Sequence, residues 1–337
     1  MVRILKKIIL ACIAAAVMTS VALPAYAASV NVGYELKSTE NYYITSGDAA
    51  DGNLLSEYLA LVYSGFTIMG DSYIQNKTGA ALLAAEIITN AASGKNPDES
   101  KTAELKGLQK EDGSFGSFEE TCLSMIALKA TKTIFSSEKA VSFIISQQDE
   151  EGLFSASGNA NNDIENTALA LTVLTPYTGA SDVFSSVKKA VEKLNSLQNA
   201  DGSYADGSSV TLSKVISALE DIGENTNSDL WKKMPELLIT YKNENGSYRR
   251  FVSDESSDPE ATAEALCALH ALASGSSPTK KLMEEGKLSS FEVKDILPFL
   301  IFYIVLVIAS IAFWIYILTK KKNERTLDDA KKAYELS

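Results

Sequence analysis

The sequence predicts an all-α protein whose buried and half-exposed helices alternate and can close into a double ring, with one C-terminal transmembrane helix after it. Three observations carry this reading. A short glycine phrase is written four times, an amphipathic helix precedes each copy, and a nearly all-apolar helix follows each.

The phrases are "LQKEDGSF", "SQQDEEGLF", "LQNADGSY" and "TYKNENGSY". They align on Gly113, Gly152, Gly202 and Gly246, at spacings of 39, 50 and 44 residues, a period that signals stacked two-helix units. Gln109, Gln148 and Gln198 stand four residues before the glycine, with Lys242 off-pattern in the fourth copy. Phe115, Phe154, Tyr204 and Tyr248 stand two after it. Asp112, Asp201 and Asn245 suit the turn. Glycine supplies the backbone conformation that ends the preceding helix.

In "DVFSSVKKAVEKLNSLQ", Val183, Val187, Ala190, Val191 and Leu194 recur at helical steps while Lys188, Lys189, Glu192 and Lys193 fill the other face. This is an outer helix with one wet side. By contrast "ETCLSMIALKAT", "ENTALALTVLT" and "PEATAEALCALHAL" are apolar nearly all round, which makes them inner helices. Six inner helices are expected near 54–64, 79–92, 118–131, 163–175, 209–222 and 259–273. Outer helices include a short one near 73–76 and "ESKTAELKGLQK"; "PTKKLMEEGKL" from Pro278 is the candidate for the sixth.

The ends of the chain read as membrane-related. Arg3, Lys6 and Lys7 precede an apolar run and "PAYA", a secretory signal over 1–27. A linker is expected over 28–43 and the ring over 44–290. The stretch 296–318 holds 23 residues without a charge, long enough to span a bilayer. Lys320, Lys321, Lys322 and Arg325 follow it, so the tail 319–337 is expected in the cytoplasm and the ring outside the cell. Net charge is −12; setting aside the three basic residues of the leader and the tail's excess of two leaves −17 on residues 28–319. Such a surface argues against nucleic acid as a partner. Cys122 and Cys267 are too few for a disulfide framework, and whether they pair is not readable here.

Gln, then Asp-Gly-Ser-aromatic, then an inner helix opening on Glu-x-Thr resembles the repeat of the terpenoid cyclase and protein prenyltransferase superfamily. The arrangement around residues 44–275 also resembles single-domain bacterial members and the toroid of the cobalamin carriers intrinsic factor and transcobalamin. The resemblance implies an α/α toroid of about six inner and six outer helices. It further implies that the Gln side chain bonds backbone at a following helix start and that the aromatic ring packs between units.

The chemistry of that superfamily is harder to find. Neither Asp-x-Asp-Asp, Asp-Asp-x-x-Asp nor a Gly-Cys-Gly-Glu-Gln thioester segment occurs. The zinc ligands of prenyltransferases would need a nearby histidine, and the only one, His270, lies 148 residues beyond Cys122. Cys267 and His270 share a helix face as weak metal candidates, with a packed core pair the better reading. Serine catalysis would also have to use His270, and no serine stands recognisably beside it in sequence. No catalytic residue and no cofactor is therefore expected.

The mouth of the ring remains, where Glu120, Asp163, Glu165, Asn166, Asp258 and Glu260 fall at the starts of inner helices. Carboxylates there suit capping, and they equally suit a polar rim around an apolar cavity. The expected function is a membrane-anchored surface toroid that binds a small hydrophobic or corrinoid-like ligand, or a protein partner, without catalysis. An enzyme acting on isoprenoid or lipid-like substrates, and an interaction module accessory to an uptake system, are the alternatives.

Overall fold

The computed structural model describes residues 30–46, 54–68, 77–155, 157–223 and 229–288, together with Phe313. The expected signal segment, the short outer helix near 73–76 and the expected transmembrane stretch lie outside the described residues. Among the described residues, no helix is long and apolar enough to cross a membrane. Residues from 290 onward form a separate unit, of which only Phe313 is described.

Twelve α-helices are described: α1 (Val32–Thr45), α2 (Leu55–Tyr63), α3 (Gly79–Ala92), α4 (Glu99–Gly107), α5 (Phe118–Ala130), α6 (Ser137–Ser146), α7 (Ala160–Leu174), α8 (Ser181–Leu197), α9 (Ser209–Ile222), α10 (Asp229–Thr240), α11 (Pro259–Ser274) and α12 (Pro278–Glu285). The inner six are α2, α3, α5, α7, α9 and α11. Each packs on the next in that order, and α11 packs back on α2, so the inner ring closes. Its core is one large apolar cluster, with a smaller one where α1, α2 and α11 meet around Tyr43, Leu61 and Leu266. The six inner helices lie within a few residues of their expected spans.

Each phrase is a clamp between successive outer helices. Gln109 Nε2 donates to the Ser136 carbonyl at 2.9 Å while its Oε1 accepts from Ser136 N–H at 3.1 Å, which fixes the start of α6. Gln148 Nε2 likewise donates to the Ser186 carbonyl within α8 at 2.9 Å, while its Oε1 accepts from the Ser186 hydroxyl at 2.7 Å. The glycine must be a glycine for two reasons. Gly113, Gly152, Gly202 and Gly246 all have φ between 91° and 112°, and a Cβ on Gly152 would sit 2.8 Å from the Lys189 carbonyl oxygen. The aromatic ring that follows is buried in every copy. Its backbone N–H is met by an inner-helix threonine in three of them: Phe115 by Thr121, Phe154 by Thr167 and Tyr248 by Thr262, each at 3.0 Å.

The fourth copy explains its own departures. Asn245 accepts from Ser247 N–H and Oγ at 3.1 and 2.7 Å, as Asp112 and Asp201 do from their serines. Lys242, in place of glutamine, forms an ion pair with Glu35 on α1, and its ammonium lies 5.1 Å from the Tyr34 ring. Gly246 abuts the Ser38 carbonyl in the same helix. The sixth outer helix is therefore α1, which occupies the stretch read from sequence as a linker.

The segment from Pro278, expected as that outer helix, has another role. α12 packs against α2, α5, α7 and α11 together, so it crosses the end of the ring instead of joining its rim. Its start is held by Asp221 at the end of α9, which accepts from Ser277 N–H and Oγ, each at 2.7 Å. Beyond it, Leu288 N–H reaches the Ala92 carbonyl at the end of α3. The reason is electrostatic as well as apolar. The carbonyl ends of the inner helices converge here and favour cations, and Lys280 Nζ donates to the Asp221 carbonyl at 2.7 Å.

Two stability measurements check this account. Replacing Gly152 by Ala should cost about 1–3 kcal/mol in chemical denaturation. Lys242→Ala and Glu35→Ala should each cost about 1.5–3 kcal/mol, with a coupling in the double mutant showing that they act on each other.

Candidate functional site: the central cavity

A cavity of about 620 Å³ occupies the middle of the ring. It runs from the starts of the inner helices, at Leu54, Glu119 and Asn162, to Ser277, Pro278 and Thr279 at the start of α12. Its two sides differ. Leu55 and Leu59 of α2, Ile88 of α3, and Leu123 and Ile126 of α5 give an apolar wall. Facing them, α7, α9 and α11 contribute Glu165, Asn166, Thr172, Lys214, Ser217, Glu260 and Glu264.

The polar wall is a network built around one ammonium. Lys214 Nζ pairs with Glu165 at 2.7 Å and with Glu260 at 3.6 Å. Thr211 Oγ1 donates to the second oxygen of Glu165 at 2.8 Å. Glu260 also takes Arg250 Nη2 at 2.5 Å, and the Arg250 Nε donates to Asp258 at 3.1 Å. Burial alone would lower the Lys214 pKa, but Glu264, Glu165 and Glu260 outweigh it and hold the ammonium above its ordinary range. Burial pushes the Glu264 carboxyl upward, against the field of Lys214 and a hydrogen bond from Ser56.

The sequence-derived mouth residues separate into two groups. Glu165, Asn166 and Glu260 line the cavity. Glu120 does not: it accepts from Ser117 N–H at 2.7 Å and completes the capping box of α5, and Glu119 reaches the cavity in its place. Asp163 is buried beneath the loop before α7, accepting from Ser157 N–H at 2.5 Å and Gly158 N–H at 3.0 Å. Asp258 caps α11 through Ala261 N–H.

A signal for the right residues exists in the Glu-x-Thr opening. Glu119-x-Thr121, Glu165-x-Thr167 and Glu260-x-Thr262 share one geometry: the threonine holds the buried phrase while the glutamate, two residues earlier on the opposite side, faces the cavity. Lys214 and Glu264 went unremarked in sequence, although a charge inside an otherwise apolar inner helix marks each one.

His270 has a serine beside it after all. Ser64, at the end of α2, lies with Oγ 2.7 Å from His270 Nε2. The pair has the outline of a nucleophile and its base, but the local chemistry opposes that role. Burial pulls the imidazole down to about 4, despite its hydrogen bond to Ala60, leaving a weak base. The backbone N–H groups of Ser64, Gly65 and Phe66 are all spent on carbonyls of α2, so none is free to receive an oxyanion. The contact ties α2 to α11. Cys267, one turn away, donates to the Ser56 carbonyl at 3.4 Å, and Cys122 and Cys267 are both free, buried thiols. Among the described residues, no His, Cys, Asp and Glu cluster could hold a metal.

Comparison with known proteins follows the same lines. Residues 118–211 match the prenyltransferase alpha-alpha toroid domain. A variant of the type II terpene cyclase MstE from Scytonema superposes with a TM-score of 0.52 at 13% identity, covering 72% of this chain and 97% of that one. The Candida albicans protein geranylgeranyltransferase-I, complexed with GGPP, gives 0.50 at 12% identity over 78% and 100%. Haptocorrin in complex with Cbi gives 0.49 at 16% identity over 72% and 69%. A search of curated proteins finds no match. The matched domain is of the superfamily that the repeat resembles, and the two superpositions at 0.50 and above show the toroid fold.

Two carboxyls near the C-terminal end of α9 set a pH dependence. Burial and the neighbouring Asp221 raise Glu220 to about 7, and burial raises Asp221 itself to about 6. A raised carboxyl adds stability that is full at low pH and lost as pH climbs through the folded value. His270, held down from 6.5 to about 4, acts oppositely below pH 6.5 and is silent above it. Thermal melts between pH 6.5 and 8 should therefore show Tm falling with pH, and Glu220→Gln should reduce that fall.

Proposed function

We propose that this protein is a surface receptacle in which an α/α toroid, exported by its leader and anchored by the apolar segment 296–318, holds a small amphipathic ligand in its central cavity. The observation that carries the reading is the cavity's two-sided lining. Enclosed clefts of 300–1,000 Å³ with an apolar body and a few convergent polar groups are the ordinary form of a small-molecule site, and this one measures about 620 Å³.

Its floor supports binding over passage. α12 crosses the end of the ring and is fastened by Asp221, so among the described residues the cavity has a floor at that end. Absence of the superfamily's acid and metal motifs from the sequence favours retention of the ligand over its conversion.

Native mass spectrometry of the full chain, released from detergent after exposure to a membrane lipid extract, tests this. A retained small mass is expected, and a bulky Leu59→Trp or Ile126→Trp should exclude it while the far-ultraviolet helical signal persists. A chain that keeps no small mass, or variants that keep the same mass as the parent, would overturn the reading.

A further inference from the structure

We infer that the ligand of the central cavity carries a positively charged nitrogen bearing N–H groups, seated against Glu264. The inference rests on the reading of the cavity as a ligand site and adds the chemical class.

Charge in the lining is unbalanced. Glu119, Glu165, Glu260 and Glu264 line the cavity, and Lys214 is the only cation among the described lining residues. Lys214 is already engaged by Glu165 and Glu260. Arg250, just outside the lining, is engaged by Glu260 and Asp258. That leaves Glu264. It accepts a hydrogen bond from Ser56 and feels the field of Lys214, yet among the described residues no cation lies within salt-bridge distance of it.

Capping does not account for this. A helix start favours carboxylates within its first turn, which explains Glu119 and Glu260 at the second positions of α5 and α11. Glu264 is four residues further on, one turn deeper, on the face of α11 that Glu260 presents to the cavity. Enclosing a carboxylate is costly, and Glu264 has only the Ser56 hydroxyl and the field of an ammonium that already pairs with Glu165 and Glu260. A second group points the same way. Ser217 lies one turn below Lys214 on α9 and lines the cavity at 9% exposure, and its hydroxyl has no hydrogen-bond partner.

Electrostatics then selects among amphiphiles. An anionic head would meet four carboxylates across a lining whose one ammonium is taken. A neutral head would leave Glu264 as it is. A primary ammonium or guanidinium supplies the missing charge and donates to both Glu264 and Ser217, while its hydrocarbon body lies on Leu55, Leu59, Ile88, Leu123 and Ile126. A quaternary ammonium lacks the N–H groups and is the poorer fit.

Three rigid, soluble probes of one shape provide the test: 1-aminoadamantane, 1-adamantanol and adamantane-1-carboxylate, titrated calorimetrically into the full chain in detergent at pH 7.5. The amine should bind at least tenfold more tightly than the alcohol, and the carboxylate weakest. Glu264→Gln should bring the amine to the level of the alcohol and leave the alcohol unchanged. It should also raise Tm, which shows that the variant folds; Ser217→Ala should cost the amine a few-fold. If the alcohol or the carboxylate matches the amine, or if Glu264→Gln leaves the preference intact, the charge assignment falls and the cavity reading stands. If none of the three binds, both fall.

Discussion

A ring of helices has no free edge, so its last unit must present to its first the same surface that every unit presents to the next. All else in this molecule depends on that closure. Three phrases meet the requirement locally, with a glutamine or a close-packed glycine turn against the following outer helix. In the fourth, the following helix is α1, some two hundred residues back in the chain. Lys242 and Glu35 supply there, by charge, the contact that glutamine supplies elsewhere by amide hydrogen bonds. An ion pair suits that place: a long, flexible lysine reaches across a junction whose two sides arrive independently, and both side chains are mostly shielded from water.

Closure also determines where chemistry can sit. With six inner helices pointing the same way, their N-terminal ends gather at one end of the cavity and their carbonyl ends at the other. Glu119, Glu165 and Glu260 collect at the first and Lys280 of α12 lies at the second, as helix dipoles favour. The Glu-x-Thr opening uses this arrangement economically. One turn of helix gives its threonine to the fold and its glutamate to the cavity, so the residues that position the ring and those that line it belong to the same three-residue unit.

Much of the fold was legible because its signals are periodic. The inner helices announce themselves by being apolar all round, and Gly113, Gly152 and Gly202 by recurrence. What escaped was non-local. Lys242 reads as off-pattern, since nothing in the sequence near it shows that α1 is its neighbour. The segment from Pro278 has the amphipathic pattern of an outer helix, and pattern alone does not distinguish packing on a rim from packing across an end. At the site, Glu165 and Glu260 were found by their place at helix starts, while Glu120 was chosen over Glu119 because the capping box and the cavity compete for adjacent glutamates. Ser64 and His270 meet across more than two hundred residues, a juxtaposition that only the closed ring creates.

The floor of the cup has a consequence in time as well as in space. The ring through α11 encloses a channel, and only when Ser277 reaches Asp221 and α12 settles across the inner helices does the channel become a vessel. Both fastenings, α1 against the fourth phrase and α12 beneath the ring, join parts of the chain that emerge far apart during synthesis. A chain built from its N-terminus is therefore an open strip of helical pairs until α12 is in place, and it gains an interior only then.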